Sequence, residues 1–217
     1  MMTIRYYGHS CFQLTTEDGV HIVTDPYQKV GYELPNGIIA DIATVSHGHF
    51  DHNYVEAIQT QTVIADSAAR TLKGVEIEGI DCYHDPLQGK LRGKNIIFKI
   101  QANGITFCHL GDLGEEISNE LIQKIGVVDV LLLPIGGTYT IDAKQAKEYA
   151  EAIAPKVIIP MHFKPNDGTL DIATPEQFLS FYPIENVITQ KGDVLLSQDN
   201  ITKYKNKIII MERSKQI

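Results

Sequence analysis

The clearest signal in this 217-residue chain is the stretch His47-Gly48-His49-Phe50-Asp51-His52. The chain has 8 histidines, and three of them fall within these six positions. Imidazole and carboxylate groups are the side chains that hold zinc and similar divalent metals. The spacing is too compressed for one tetrahedral ion to use every side chain. We therefore expect His47 and His49 to face one metal and Asp51 and His52 to face a neighbour, as in a two-metal hydrolytic site.

Further candidate residues follow predicted strands. Runs rich in apolar and β-branched residues predict strands at 20–24, 42–46, 105–108 and 157–159. These strands are followed within a few residues by Asp25, His47, Asp112 and His162, in that order. Because loops at strand ends carry functional side chains on a rigid scaffold, we expect these residues to meet at one edge of the sheets.

Two metals need more ligands than the six-residue stretch supplies. The third ligand of the first metal is either His84 or His109, and the residues alone leave both open. Asp112 supplies a bridging carboxylate, and His162 joins the second metal. Asp51 or Asp112 is the candidate proton acceptor in the reaction. We therefore count both as candidate catalytic residues, together with His109.

The rest of the pattern favours an α/β (α+β) fold. Helical signals cover 53–59, 67–72, 142–154 and 175–181. The pair Asn103-Gly104 predicts a hairpin turn between two strands. This mixture suggests two sheets with helices on their outer faces. We expect a single domain over 1–217, and the lysines around 208–211 predict a blunted edge strand.

Composition limits the classes of function. The net charge of −8 argues against nucleic acid as a partner. Three cysteines without paired spacing favour reduced thiols, and the N-terminal residues lack the apolar core of a signal peptide. The sequence contains no run of eighteen apolar residues, which a membrane span would need. We expect a cytoplasmic protein with a small-molecule substrate and no membrane partner, and the sequence leaves a homo-oligomer open.

Several other residues near the motifs have separate expectations. His9 is equally compatible with a turn residue and with a wall of the pocket. Thr138 and Tyr139 are candidate donors toward charge that develops in the reaction. Tight loops with positive φ are expected at Gly111, Gly114, Gly136 and Gly137.

In order and spacing, these residues resemble the successive motifs of the metallo-β-lactamase superfamily. The residues are Asp25, the stretch 47–52, His84, Asp112 and His162. Finer motifs resemble the branch that contains ascorbate-6-phosphate lactonases and many metal-dependent hydrolases. They are Gly8-His9-Ser10-Cys11-Phe12, Thr24-Asp25-Pro26, His84-Asp85, Arg92-Gly93, His109-Leu110-Gly111-Asp112-Leu113-Gly114, Leu133-Pro134-Ile135-Gly136-Gly137 and Ile159-Pro160-Met161-His162. The resemblance runs from about residue 4 to about residue 196.

The resemblance implies a four-layer αββα sandwich with two metals at one edge. It makes His84 the third ligand of the first metal and places His109 behind the ligands, where it orients one of them or the bridging group. Asp25 is then expected to hold a metal-binding histidine. The chain lacks the long insertions that the resemblance would demand of a tRNA-processing or mRNA-cleaving member.

The predicted function is a binuclear metal-dependent hydrolase. Zinc is the first choice of metal, and Mn²⁺ or Fe²⁺ suits the same ligands. A hydroxide that bridges the metals would attack a small ester, lactone or phosphodiester. One alternative is a phosphodiesterase or nuclease acting on nucleotides, which a basic cluster drawn from Arg5, Arg70 and Arg92 would favour. The other is a non-catalytic metal-binding protein of the same fold, against which the complete ligand set counts.

Overall fold

A computed structural model describes residues 1–215, whose strands form two large sheets and one short pair. In chain order the strands are β1 (Met2–Gly8), β2 (Cys11–Thr15), β3 (His21–Thr24), β4 (Ile39–Ala40), β5 (Ile42–Thr44), β6 (Gln59–Thr60), β7 (Val63–Ile64), β8 (Arg70–Leu72), β9 (Val75–Tyr83), β10 (Lys94–Ala102), β11 (Ile105–His109), β12 (Val130–Pro134), β13 (Val157–Met161), β14 (Val187–Gln190), β15 (Val194–Leu196) and β16 (Lys207–Met211). The α-helices are α1 (Asn119–Ile125), α2 (Ala143–Ile153) and α3 (Glu176–Leu179), and short 3₁₀ turns occur at Val55–Ala57, Ile184–Asn186 and Ile201–Tyr204.

The two large sheets pack face to face around the main apolar core. One sheet has the order β15-β1-β2-β3-β5-β7, and the other has the order β14-β16-β13-β12-β11-β10-β9-β8. Phe12 and Ile22 from the first sheet belong to the same buried cluster as Phe98 and Leu132 from the second. Burying one such side chain contributes about 1.5–3 kcal/mol. The predicted sandwich of two sheets is confirmed.

Helices cover the outer face of the eight-stranded sheet. The predicted helix at 142–154 is confirmed as α2, which begins after Asp142 in a capping box with Gln145. Its buried face includes Ala146, Ala150 and Ile153, and this face joins an apolar cluster beneath the sheet. The predicted hairpin at Asn103-Gly104 is likewise confirmed between β10 and β11.

The outer face of the six-stranded sheet has a different cover. Its buried apolar cluster, which includes Tyr7, Tyr27 and Ile38, lies under the loop between β3 and β4 and the 3₁₀ turn Val55–Ala57. The helix predicted at 53–59 is reduced to the 3₁₀ turn Val55–Ala57, which leads into β6. The helix predicted at 67–72 is wrong, because strand pairing overrides the local preference at β8. β6 pairs with β4, and β8 pairs with β9.

The carboxy-terminal strand is interior to its sheet. β16 pairs in parallel with β13 on one side and β14 on the other, so the predicted edge strand at 208–211 is wrong. The edge is formed by β14, whose pairing with β16 could not be read from the lysine pattern. The last two residues of the predicted tail lie outside the described residues.

Two expectations from composition concern the cysteines and membrane spans. Cys11, Cys82 and Cys108 are free thiols, as predicted, and all three are buried, where they pack as small core residues. Within residues 1–215, no helix has the length and apolar character that crossing a bilayer requires.

One edge of the sandwich collects the candidate ligands. The carboxyl ends of β3, β5, β9, β11 and β13 lead within three residues to Asp25, His47, His84, Asp112 and His162, respectively. Because β3 runs parallel to β5, and β11 to β12 and β13, their loops emerge on the same side.

Candidate metal centre

The first group of candidate ligands contains three imidazoles. His47, His49 and His84 each offer a nitrogen within 4.8 Å of the others. Their ring centroids are 4.6 Å apart for His47 and His49 and 4.7 Å apart for His47 and His84. Of the two histidines that the sequence left open, the structure brings His84 to this group.

The second group is more deeply buried. Asp51, His52 and His162 lie within the same 4.8 Å limit, together with His9. His52 and His162 are fully buried, whereas His49 of the first group is exposed. Solvent and substrate therefore reach the first group more readily than the second.

Asp112 lies between the two groups. Its Oδ2 atom is 3.1 Å from Nε2 of His84 and 3.3 Å from Nε2 of His162. Its Oδ1 atom is 3.0 Å from Nε2 of His52. The carboxylate thus faces both groups, as the predicted bridging ligand requires.

Several buried polar atoms of this centre lack a partner. Among the described residues, no hydrogen bond of acceptable geometry reaches Nε2 of His47 or Nε2 of His162. A buried polar atom without a partner costs about 1–3 kcal/mol. Nitrogen and carboxylate lone pairs that converge in this way suit a divalent cation such as Zn²⁺, Mn²⁺ or Fe²⁺. The residues therefore fit the metals that the sequence predicts.

Asp25 sets the tautomer of His52. Its Oδ2 atom is 2.7 Å from Nδ1 of His52, so Nδ1–H donates and Nε2 points into the centre. The backbone N–H of Ser46 donates to Oδ1 of Asp25, and the Ser46 hydroxyl donates to Oδ2. Burial alone would lower the pKa of His52, but the carboxylates of Asp112 and Asp25 outweigh it and hold that pKa well above its usual range.

His109 supports the backbone behind the centre. Its Nε2–H donates to the carbonyl oxygen of Ser10 at 2.8 Å, and its Nδ1 accepts from the N–H of Gly111 at 3.2 Å. Ser10 follows His9, and Gly111 precedes Asp112. The predicted orienting role of His109 would therefore act through two backbone segments, and a catalytic role for it stays a prediction.

Two glycines allow close contact with the ligands. A Cβ at Gly114 would lie 2.4 Å from the carbonyl oxygen of His84, and one at Gly136 would lie 2.2 Å from that of His162. Positive φ occurs at Gly111 and Gly137 but not at Gly114 or Gly136, so the expectation for the latter pair is wrong. Close packing accounts for those two glycines.

His9 lies on the turn between β1 and β2 and also lines the second group of candidate ligands. His9 is 1% exposed, and its Nε2 lies 3.2 Å from Oδ2 of Asp51 and 3.2 Å from Nε2 of His52. Burial and the neighbouring imidazole of His162 lower the pKa of His9 to about 4. The pair Gly8-His9 at the end of a strand was the available sequence signal.

Beside the centre, one arginine connects two loops. Nη2 of Arg92 donates to the carbonyl oxygen of Thr138, and the guanidinium lies 5.7 Å from the ring centroid of Tyr139. Arg5 and Arg70 are instead paired with Asp193 and Asp66, respectively. The three arginines named by the sequence thus form no basic cluster.

Comparison with known proteins points in one direction. The profile of the family described as the β-lactamase superfamily domain matches residues 3–162. A protein of Methanoregula boonei named UPF0173 metal-dependent hydrolase is 32% identical over 190 residues, which is 75% of this chain and 82% of that protein. A protein of the same family name from Thermoplasma acidophilum is 30% identical over 204 residues, which is 82% of this chain and 89% of that protein.

Solved structures agree. A Thermotoga maritima protein, described as a proposed zinc-dependent hydrolase of the metallo-β-lactamase superfamily, is 37% identical with a TM-score of 0.80. The match covers 98% of this chain and 99% of that protein. Igni18, a metallo hydrolase from Ignicoccus hospitalis, is 21% identical with a TM-score of 0.64, over 100% of this chain and 97% of that protein. At that identity the likeness concerns the fold.

Proposed function

Since the chain belongs to the metallo-β-lactamase superfamily and is a metal-dependent hydrolase, we propose that it holds two divalent ions and cleaves a small ester, lactone or phosphodiester. The observation that carries this proposal is the position of Asp112. One carboxylate oxygen lies 3.1 Å from His84 of the first group and 3.3 Å from His162 of the second. A single carboxylate shared by two ligand groups is typical of two-metal hydrolases.

The proposed ligands divide evenly around the shared carboxylate. The first ion would be held by His47, His49, His84 and Asp112, and the second by Asp51, His52, His162 and Asp112. Zinc is our first choice, supported by the description of the Thermotoga maritima relative. Manganese or iron would suit the same nitrogen and oxygen donors.

The bound ions would supply a water of lowered pKa and a Lewis acid for the substrate's oxygen. The chain itself orients the groups around them. Asp25 keeps the Nε2 lone pair of His52 aimed into the centre. Asp51, whose side chain is 13% exposed, is positioned to take up a proton during the reaction. Tyr139 is 38% exposed beside Arg92, where it can donate a hydrogen bond to a substrate oxygen.

A small substrate is favoured over a polynucleotide. Arg5 and Arg70 each form an ion pair with an aspartate. Of the three candidate arginines, Arg92 contacts the loop after Gly137. A single cation suits a small anionic or polar ligand, whereas a phosphate backbone needs a basic surface. The net charge of −8 adds to this argument.

Metal content and a substrate screen test the proposal together. Wild-type protein purified with zinc or manganese should contain close to two divalent ions per chain. Its reconstituted form should hydrolyse members of a panel of lactones, esters, thioesters, phosphodiesters and nucleotides. The variants His49→Ala and Asp112→Asn should lose metal and activity, whereas His21→Ala, which removes a histidine that bonds Gln13 and Thr15, should keep both. A wild type that stays free of metal under these conditions would overturn the proposal.

A further inference from the structure

His9 lies among the side chains of the second group but has no place in the seven-ligand site, and we propose that it is a further ligand of the second metal. This inference rests on the proposed two-metal function and adds one residue to it. His9 stands 42 positions before Asp51 in the sequence, on the turn between β1 and β2.

The distances from Nε2 of His9 to neighbouring ligand atoms are short enough for all of them to bind one metal ion. Nε2 of His9 is 3.2 Å from Oδ2 of Asp51 and 3.2 Å from Nε2 of His52, and the latter two atoms are 3.8 Å apart. The circle through these three atoms has a radius of about 2.0 Å, which matches zinc–nitrogen and zinc–oxygen bonds of about 2.0–2.2 Å. One ion can therefore lie within bonding distance of all three.

The chemistry of these atoms favours a cation over a hydrogen-bond network. His52 donates its Nδ1–H to Asp25, so its Nε2 is the nitrogen that faces the second group. Nε2 of His9 carries either a hydrogen, which Asp51 can accept, or a lone pair, which can accept only from an N–H of His52, so it cannot satisfy both neighbours. Nε2 of His162, in the same group, has no hydrogen-bond partner among the described residues. A divalent ion would satisfy all of these atoms.

The backbone fixes the imidazole of His9 in this position. Its φ of 53° lies in the left-handed region, which a residue with a side chain adopts only when its surroundings hold it there. The His9 N–H donates to the hydroxyl oxygen of Tyr32, and its carbonyl accepts from the hydroxyl of Tyr6 and from the N–H of His162, each at 3.0 Å. Gly8 packs directly against Tyr32, where a Cβ would lie 2.7 Å from the ring.

A ligand at His9 would make the two ions unequal. The second ion would have five protein ligands in a buried setting, and the first would have four beside the exposed His49. A chelator should therefore remove the first ion before the second. Substrate should approach from the side of the first ion.

Cobalt substitution tests this role without an activity assay. Wild type, His9→Ala and the control His21→Ala are loaded with Co²⁺, and bound metal, chelator affinity and the visible Co²⁺ spectrum are measured. In His9→Ala the second ion should bind more than about 100-fold more weakly, beyond the 10–100-fold cost of losing a group that only orients a ligand. The Co²⁺ bands should change, and millimolar imidazole should restore them. His21→Ala should match wild type.

Other outcomes separate the two proposals. Wild type with two ions and a His9→Ala variant with the same Co²⁺ spectrum would overturn the role of His9 and leave the two-metal function standing. Wild type without metal would overturn both. If His9→Ala does not fold, NMR of the wild type loaded with ¹¹³Cd²⁺ provides the test. A ¹¹³Cd–¹⁵N coupling at Nε2 of His9 would support the proposal. Coupling at His52 without coupling at His9 would refute it.

Discussion

Oδ2 of Asp25 lies 2.7 Å from Nδ1 of His52, and both side chains are fully buried. The contact joins the end of β3 to the six-residue histidine stretch, 27 positions later in the chain. It engages Nδ1 of His52 and thereby makes Nε2 the nitrogen that can bind metal. The metal centre therefore depends on a residue that does not itself face the ions.

Asp25→Asn should weaken metal binding by about 10–100-fold, because the amide holds the His52 ring less firmly and places a donor group beside the donors of Ser46. A chelator competition titration measures the affinity. Asp18→Asn, at an exposed position, is the matched control and should bind like wild type. Equal affinity in Asp25→Asn would show that this contact does not support the site.

Gly114→Ala should displace His84, since the new Cβ would lie 2.4 Å from that residue's carbonyl oxygen. We expect a loss of roughly 1–3 kcal/mol in the free energy of unfolding and reduced occupancy of the first ion. Gly48→Ala is the control, because nothing lies within 4 Å of its Cβ position. Denaturant unfolding and metal analysis on both variants provide the comparison. Equal effects of the two substitutions would contradict the packing argument.

Metal uptake should release protons near neutral pH. The raised pKa of His52 keeps its imidazole protonated in the metal-free protein, and the incoming ion must displace that proton. Affinity should therefore rise with pH, about tenfold per pH unit for each proton displaced. Calorimetry in buffers of different ionisation enthalpy counts the protons. Fewer should be released by Asp25→Asn, which lacks one of the carboxylates that raise this pKa; equal release by both proteins would refute the assignment.

Chelation should lower the melting temperature of the wild type. Binding at a free metal concentration 100 times Kd adds about 2.7 kcal/mol to the stability of the folded state. For a chain of this length that corresponds to roughly 5–11 °C, on a scale of about 2–4 °C per kcal/mol. Scanning calorimetry with and without chelator measures the shift. Asp112→Asn should respond much less, and an equal response would indicate that the chelator acts elsewhere.

The residues alone did not decide whether His84 or His109 is the third ligand of the first ion. His109 follows a predicted strand whereas His84 does not, and ligand chemistry does not distinguish the two imidazoles. Family resemblance favoured His84, and the structure places it 3.1 Å from the shared carboxylate of Asp112. His109 ends β11 with its ring turned toward Ser10, because alternate strand residues face opposite sides of a sheet.

The sequence predicted the ligand chemistry, the order of the ligands and the two-sheet fold. These features depend on residue type, local spacing and apolar periodicity. The sequence did not predict the contact of His9 with the second group, because His9 is 42 positions before Asp51 and approaches it only where β1 ends at the edge that carries the ligands. The interior position of β16 and the formation of β8 within a predicted helix have the same origin. Strand pairing between distant segments outweighs local preference, and only the tertiary structure specifies which segments pair.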